Sequence, residues 1–176
     1  MECSNLITVG ISETNGIIKQ LSHQFFTSCG LRCSSTPLKT DSDFVFCAPK
    51  PNTHYDILIE NNTPAADTRS DYVHLINSDE VVPHPSSEHT VFITYGLNSF
   101  ATATASSIIE DGSHLHFQYC LQRNIVSLKG RMIECQEFPV SIYHTKVDLH
   151  SAIAFTTLAL LASVPSQNLQ QIITKF

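Results

Sequence analysis

The sequence predicts an α/β domain: a mostly parallel sheet flanked by helices, with a small antiparallel β appendage. Three observations predict it. Residues 6–33 (LITVGISETNGIIKQLSHQFFTSCGLRC) read as strand, tight turn, amphipathic helix and a helix-ending Gly30. The runs 55–60 (YDILIE), 71–76 (DYVHLI) and 90–95 (TVFITY) then have the length and apolar character of buried strands. Finally, Asp111-Gly112 sits between two strand-like runs, a strong hairpin signal, and a long apolar helix follows.

In chain order, residues 6–9 form a short strand. Ile17, Ile18, Leu21, Phe25 and Phe26 repeat at helical spacing, so 17–28 is a helix with one apolar face. Residues 31–34 start a second short strand and 44–47 a further one, before a loop at Pro49, Lys50, Pro51 and Asn52. The three apolar strands named above follow, with Pro83, His84, Pro85 and Ser86 as a loop between the second and third. Residues 102–109 and 114–122 pair as a hairpin, and 138–143 (FPVSIY) alternates as a strand. Residues 148–163 form a long buried helix, and Pro165-Ser166 open a last helix over 167–176. Strands thus alternate with helices early, then antiparallel strands, then helices, and residues 1–176 are expected to form one domain.

Composition narrows the function classes. The chain has 176 residues, enough for a core, and 42% of them are apolar. Charged residues are 15%, below the usual ~25%, and Ser, Thr, Asn, Gln and His supply the remaining polarity. Net charge is −6 and the ten Lys and Arg form no run, which argues against a nucleic-acid groove. The longest apolar stretch, 152–164, contains two threonines and falls short of the ~20 residues of a bilayer span, so no membrane partner is expected. Met1-Glu2-Cys3 lacks a basic leader, and the six cysteines form no CxxC pair. The expected setting is the cytoplasm, with reduced thiols.

The 6–33 stretch reads as the opening of a P-loop-like, nucleotide-binding domain. Thr14-Asn15-Gly16, the 55–60 strand ending at Glu60, residues 93–108 and residues 151–176, taken in this order, together resemble the central, ATP-binding domain of the Mur ligase family, which includes folylpolyglutamate synthase. Thr14-Asn15-Gly16 matches the TNG of the family's TGTNGKTT-like loop. The 55–60 strand resembles the family strand that ends in a metal-binding Glu, here Glu60. Residues 93–108 (ITYGLNSFATATASSI) are similar to a "TYG…A…A.NI" passage leading into an antiparallel hairpin. The family pattern "G.HN..N..AA..A...G.P...I...L..F" lines up with Ala152, Ala154, Ala159, Val164-Pro165, Ile172 and Phe176. The resemblance implies ATP and Mg²⁺ as cofactors. It also implies an ancestral chemistry in which a substrate carboxylate is phosphorylated and an amine attacks the acyl phosphate. The chain matches the central domain without the family's N-terminal substrate domain and C-terminal amino-acid domain.

The departures fall on the residues that carry charge. A phosphate loop needs backbone N–H groups around the phosphates, a Lys for their charge, and Ser or Thr for Mg²⁺. Here the Lys position is Ile17 and the Ser/Thr position is Ile18. Lys19 comes two residues late, about 200° around a helix. The Gly before TNG is Glu13, an acid where phosphate should sit, and five residues instead of four separate Gly10 from Gly16. Asn77, Asp79 and Glu80 (INSDE) stand either for the family's TN..DH-like segment, with His84 nearby, or for a later INADD strand end. No modified-lysine motif fits between Glu60 and Thr90, the Asn of the HN motif is absent, and His144 and His150 match it only loosely.

The candidate site residues are therefore Thr14, Asn15 and Gly16 as a degenerate phosphate loop and Glu60 as a metal ligand, with no catalytic residue assigned. Free N–H groups at a helix start favour an anion even without Lys; the plain alternative is that Thr14 or Asn15 caps the helix. Glu60 ends a strand where ligands collect in open α/β sheets, the alternative being a solvated acid. Asp79 and Glu80 could join it. His114 and His116 share one strand face, but no third ligand accompanies them. The expected function is that of a non-catalytic, binding or regulatory Mur-ligase-like domain, tied by analogy to cell-wall precursor metabolism. Two other readings stand beside it: an ATP-binding subunit of a carboxylate–amine ligase completed by a partner, and a self-associating interaction module. The first two imply a protein partner, the third a homo-oligomer.

Overall fold

The structure is a computed structural model that describes residues 6–36, 41–65, 67–81, 90–112, 114–143 and 146–173. His84, His144 and Phe176 lie outside the described residues. The described chain divides into two compact units, residues 6–76, 80–81 and 90–92 in the first, and 77–79 and 93–173 in the second.

The first unit contains β1 (Ile7–Ser12), α1 (Ile17–Ser28), β2 (Cys33–Ser34), β3 (Phe44–Cys47), β4 (His54–Glu60) and β5 (Arg69–Asn77), of which Asn77 belongs to the second. These strands pair in the order β2–β3–β1–β4–β5, all parallel. A parallel strand covered on both faces reads as a continuous apolar run, and Ile57, Leu58 and Ile59 of β4 are indeed all fully buried. The α1 helix packs on β2 and β3, placing the Phe26 ring 5.0 Å from Phe44 and 5.6 Å from Phe46 between centroids. It ends as the sequence predicts. Gly30 adopts φ 82° and donates its N–H to Thr27 O, while the Leu31 N–H reaches Phe26 O, a Schellman closure.

Alternation of strands and helices holds only for β1–α1–β2, since α1 is the one helix among the described residues of this unit. Parallel neighbours are usually joined by a crossover of about a dozen residues or more. β4 and β5 are joined by residues 61–68 alone. The β1–β4 register sets Ser12 beside Glu60, so the α1 entry turn and the end of β4 share one sheet end.

The second unit contains most of β6 (Val91–Tyr95), then β7 (Ala103–Glu110), β8 (His114–Leu121), β9 (Ile125–Val126), β10 (Met132–Ile133), β11 (Gln136–Tyr143), α2 (Leu149–Leu161), α3 (Ser166–Leu169) and β12 (Gln171–Ile173). Its strands run β6–β7–β8–β11–β12. The β7–β8 and β8–β11 pairs are antiparallel, and β6–β7 and β11–β12 are parallel. The predicted hairpin turns at Gly112, φ 81°. A separate two-stranded β9–β10 ribbon, which the sequence did not suggest, adds a second antiparallel element.

Every residue of α2 from Ser151 to Leu161 is buried, as expected of a helix apolar all round. Its polar groups are satisfied. Asp148 caps the N-terminus, accepting from Ser151 N at 2.8 Å, and the Thr156 and Thr157 hydroxyls donate to Ala152 O and Ile153 O, each at 2.8 Å. The buried Tyr119 hydroxyl lies 2.9 Å from Thr157 Oγ1, and burial holds its pKa far above the ordinary tyrosine value.

The chain end corrects one expectation. The last helix is not 167–176 but Ser166–Leu169, after which the chain turns into β12. Gln171, Ile172 and Ile173 pair with Ser141, Ile142 and Tyr143, and Ser141 N donates to Gln170 O. Two adjacent isoleucines favour a ladder beside β11 over more helical turns. No helix among the described residues is long and apolar enough to cross a membrane.

Candidate functional site

The turn between β1 and α1 holds Glu13, Thr14, Asn15 and Gly16. Gly16 takes φ 71°, the left-handed conformation that lets the chain swing from strand into helix. A helix start leaves N–H groups without intrahelical acceptors. Here side chains of the same turn take three of them. Asn15 Oδ1 accepts from Ile17 N at 3.2 Å, Glu13 Oε2 from Ile18 N at 2.8 Å, and Glu13 Oε1 from Lys19 N at 3.0 Å. The next N–H, of Gln20, already bonds Gly16 O. Glu13 therefore points into the turn, and the extra residue of the loop does not carry it outward.

The outer side of the turn is fixed to the segment after β4. Thr14 N donates to Asn62 Oδ1 at 3.0 Å, and Asn62 Nδ2 donates to Thr14 Oγ1 at 2.8 Å. Ser12 and Thr63 hydroxyls meet at 3.0 Å. The structure thus brings Thr14, Asn15 and Gly16 together with the end of β4. Neither Thr14 nor Asn15 is the cap that the plainer reading expected: the N-cap is Gly16, Asn15 takes only the Ile17 N–H, and Thr14 bonds Asn62.

Ile17 and Ile18 are 4% and 0% exposed. The positions that the resemblance assigns to a phosphate-binding Lys and a metal-binding hydroxyl belong to the apolar core. Lys19 lines an open groove of about 330 Å³ with Gly16, Gln20, His23, Gln24 and Ser35.

Glu60 is not a solvated acid. It is 5% exposed; its carboxylate accepts from the Ala65 N–H, and His74 Nε2 lies 3.1 Å from Oε2. His74 is buried on β5, its other ring nitrogen has no hydrogen-bond partner among the described residues, and its ring centroid is 5.4 Å from that of Phe92. Sequence reasoning missed His74. Its signal was a histidine inside the apolar run DYVHLI, a position that needs a polar partner once buried.

Asp79 forms a cluster with residues of the second unit. Asp79 Oδ2 accepts from Leu97 N at 2.6 Å and lies 2.9 Å from His150 Nε2, while Oδ1 accepts from Asn98 Nδ2 at 2.7 Å. Partial burial opposes ionisation, but the Leu97 N–H, His150 and Asn98 outweigh it and hold the carboxyl below the ordinary aspartate range. A Cβ on Gly96 would meet Asp79 Oδ2 at 2.6 Å, so the carboxylate needs a glycine there. His114 and His116 stack with centroids 6.0 Å apart, their Nδ1 atoms held by Asp111 and Ser141 at 2.8 Å each. Among the described residues no group of three or more His, Cys, Asp or Glu could hold a metal ion.

These groups do not fit a Mg²⁺-nucleotide. The N–H groups of Thr14, Ile17, Ile18 and Lys19 are all taken by side chains of the chain itself, and the Glu13 carboxylate stands where the resemblance would put a phosphate. Glu60 faces a histidine and a backbone N–H inside the protein.

No protein-family model matches the sequence, and no curated protein sequence matches it. Solved structures do. The fold is similar to MurF from Acinetobacter baumannii, with a TM-score of 0.62 at 10% identity over 97% of this chain and 46% of that one. It is similar to a murein peptide ligase from Psychrobacter arcticus, with a TM-score of 0.58 at 9% identity over 96% and 47%. A UDP-N-acetylmuramoyl-L-alanyl-D-glutamate–2,6-diaminopimelate ligase gives a TM-score of 0.60 at 14% identity over 93% and 44%. The chain spans a little under half the length of each of these ligases, and over that span it has their fold.

Proposed function

We propose that this chain is a non-catalytic Mur-ligase-like domain that acts as a binding or regulatory protein. By analogy of fold, its setting is the synthesis of cell-wall precursors. The observation that carries this reading is the burial of Ile17 and Ile18. Transfer of a phosphoryl group depends on positioned charge, and these two core residues supply none. The ligand is a protein, either a different chain or a second copy of this one. Calorimetry with ATP and ADP, with and without Mg²⁺, tests the catalytic side of the proposal. The expected result is no heat of binding and no turnover by the wild-type chain. Micromolar binding would overturn the reading in favour of a subunit that binds ATP through backbone N–H groups and borrows a cation from a partner.

A further inference from the structure

A helix N-terminus attracts anions because its first N–H groups point outward and the helix dipole favours negative charge. In α1 the three N–H groups between Gly16 and Gln20 are all engaged, two of them by the two oxygens of one carboxylate, at 2.8 and 3.0 Å. A carboxylate on backbone N–H groups makes charge-assisted bonds, stronger than neutral ones. Its supporting contacts are equally local. Asn15 takes the remaining N–H, and the Thr14–Asn62 pair fastens the turn from outside. The acid is part of the same turn, so it competes with any free anion as an intramolecular group.

We infer that Glu13 is the resident anion of α1, ordering the turn without a ligand and keeping phosphate out. The inference rests on the proposed non-catalytic reading and deepens it: the site is filled by the chain itself, not merely short of a lysine. A conformational requirement follows. The N–H groups of Ile18 and Lys19 become available to an external anion only if the Glu13 side chain leaves or is removed.

The test uses the full chain as wild type, Glu13→Gly and Glu13→Gln, melted in chloride and in inorganic phosphate at matched ionic strength. In chloride, Glu13→Gly should melt roughly 4 °C below wild type, the shift expected from losing a helix-capping acceptor in a chain of this size. Glu13→Gln, which keeps an oxygen but no charge, should fall between the two. Phosphate should restore a large part of the loss in Glu13→Gly and leave wild type in place. Amide exchange reads the same contact directly. The Ile18 and Lys19 amides should exchange roughly tenfold faster in Glu13→Gln than in wild type. If Glu13→Gly is too unstable to purify, the Gln variant carries both readouts. The inference is overturned if the variants melt with wild type, if phosphate stabilises all three equally, or if the two amides exchange at unchanged rates. Nucleotide binding by wild type would instead overturn the parent reading, and the two failures are told apart by which measurement moves.

Discussion

Asp79 shows how one side chain can organise a loop. Its two oxygens gather Leu97, Asn98 and His150. Those contacts are made by the ionised form, so protonation must weaken them. The folded-state pKa is lowered, so the unfolded chain binds the extra proton first. The stabilisation is therefore complete above the unfolded aspartate value of about 3.9 and fades as the pH falls through the lower, folded one. We expect urea denaturation to find wild type more stable than Asp79→Asn near neutral pH, with the gap closing on acidification below about pH 4. A gap that stays constant would show that the carboxylate charge contributes nothing. None of this partnership was readable from the chain, because Asp79 and His150 are 71 residues apart and only tertiary structure joins them. Glu13 is the opposite case. Its identity flagged a conflict with phosphate, but whether it faced inward was a matter of dihedral angles that no spacing encodes.

Elements were legible where local periodicity decides them. The α1 bounds follow from the apolar spacing at one end and Gly30 at the other, and β3 is the bare apolar run FVFC. The end of the chain was misread because β12 exists only through its ladder with β11, a pairing that local propensity does not express. The α2 terminus holds a testable anomaly. It closes as α1 does, with Val164 N donating to Ala159 O and Ser163 N to Leu160 O, but the left-handed position is Ser163 at φ 65°. Its hydroxyl is buried with no hydrogen-bond partner among the described residues. A non-glycine residue at such a position is strained, and a buried unpaired hydroxyl adds to the cost. Ser163→Gly should therefore stabilise the chain by about 1 kcal/mol in urea melts, after allowing for the entropy that glycine gains in the unfolded state. A destabilised variant would mean that the hydroxyl contributes more than it costs.

At the scale of the whole chain, agreement of fold at 10% identity reflects what a fold requires: strand order, buried faces and turn geometry, not particular side chains. The second unit leaves Leu97, Phe100, Ile109 and Met132 exposed, with Phe100 at 77%. Exposed apolar side chains gathered in one patch are what a protein partner covers. On the self-association reading, light scattering will show a mass that rises with concentration, and Phe100→Asp will lower it. A monomer at high concentration would sink that reading.

The burial of Ile17 and Ile18 also bounds how the turn could be redesigned. Ile17→Lys would put an ammonium into an apolar interior, and Ile18→Ser would leave a void lined by hydrocarbon around a hydroxyl. Each single substitution is less stable than the chain it starts from, so a charged loop could be installed here only together with a repacked core.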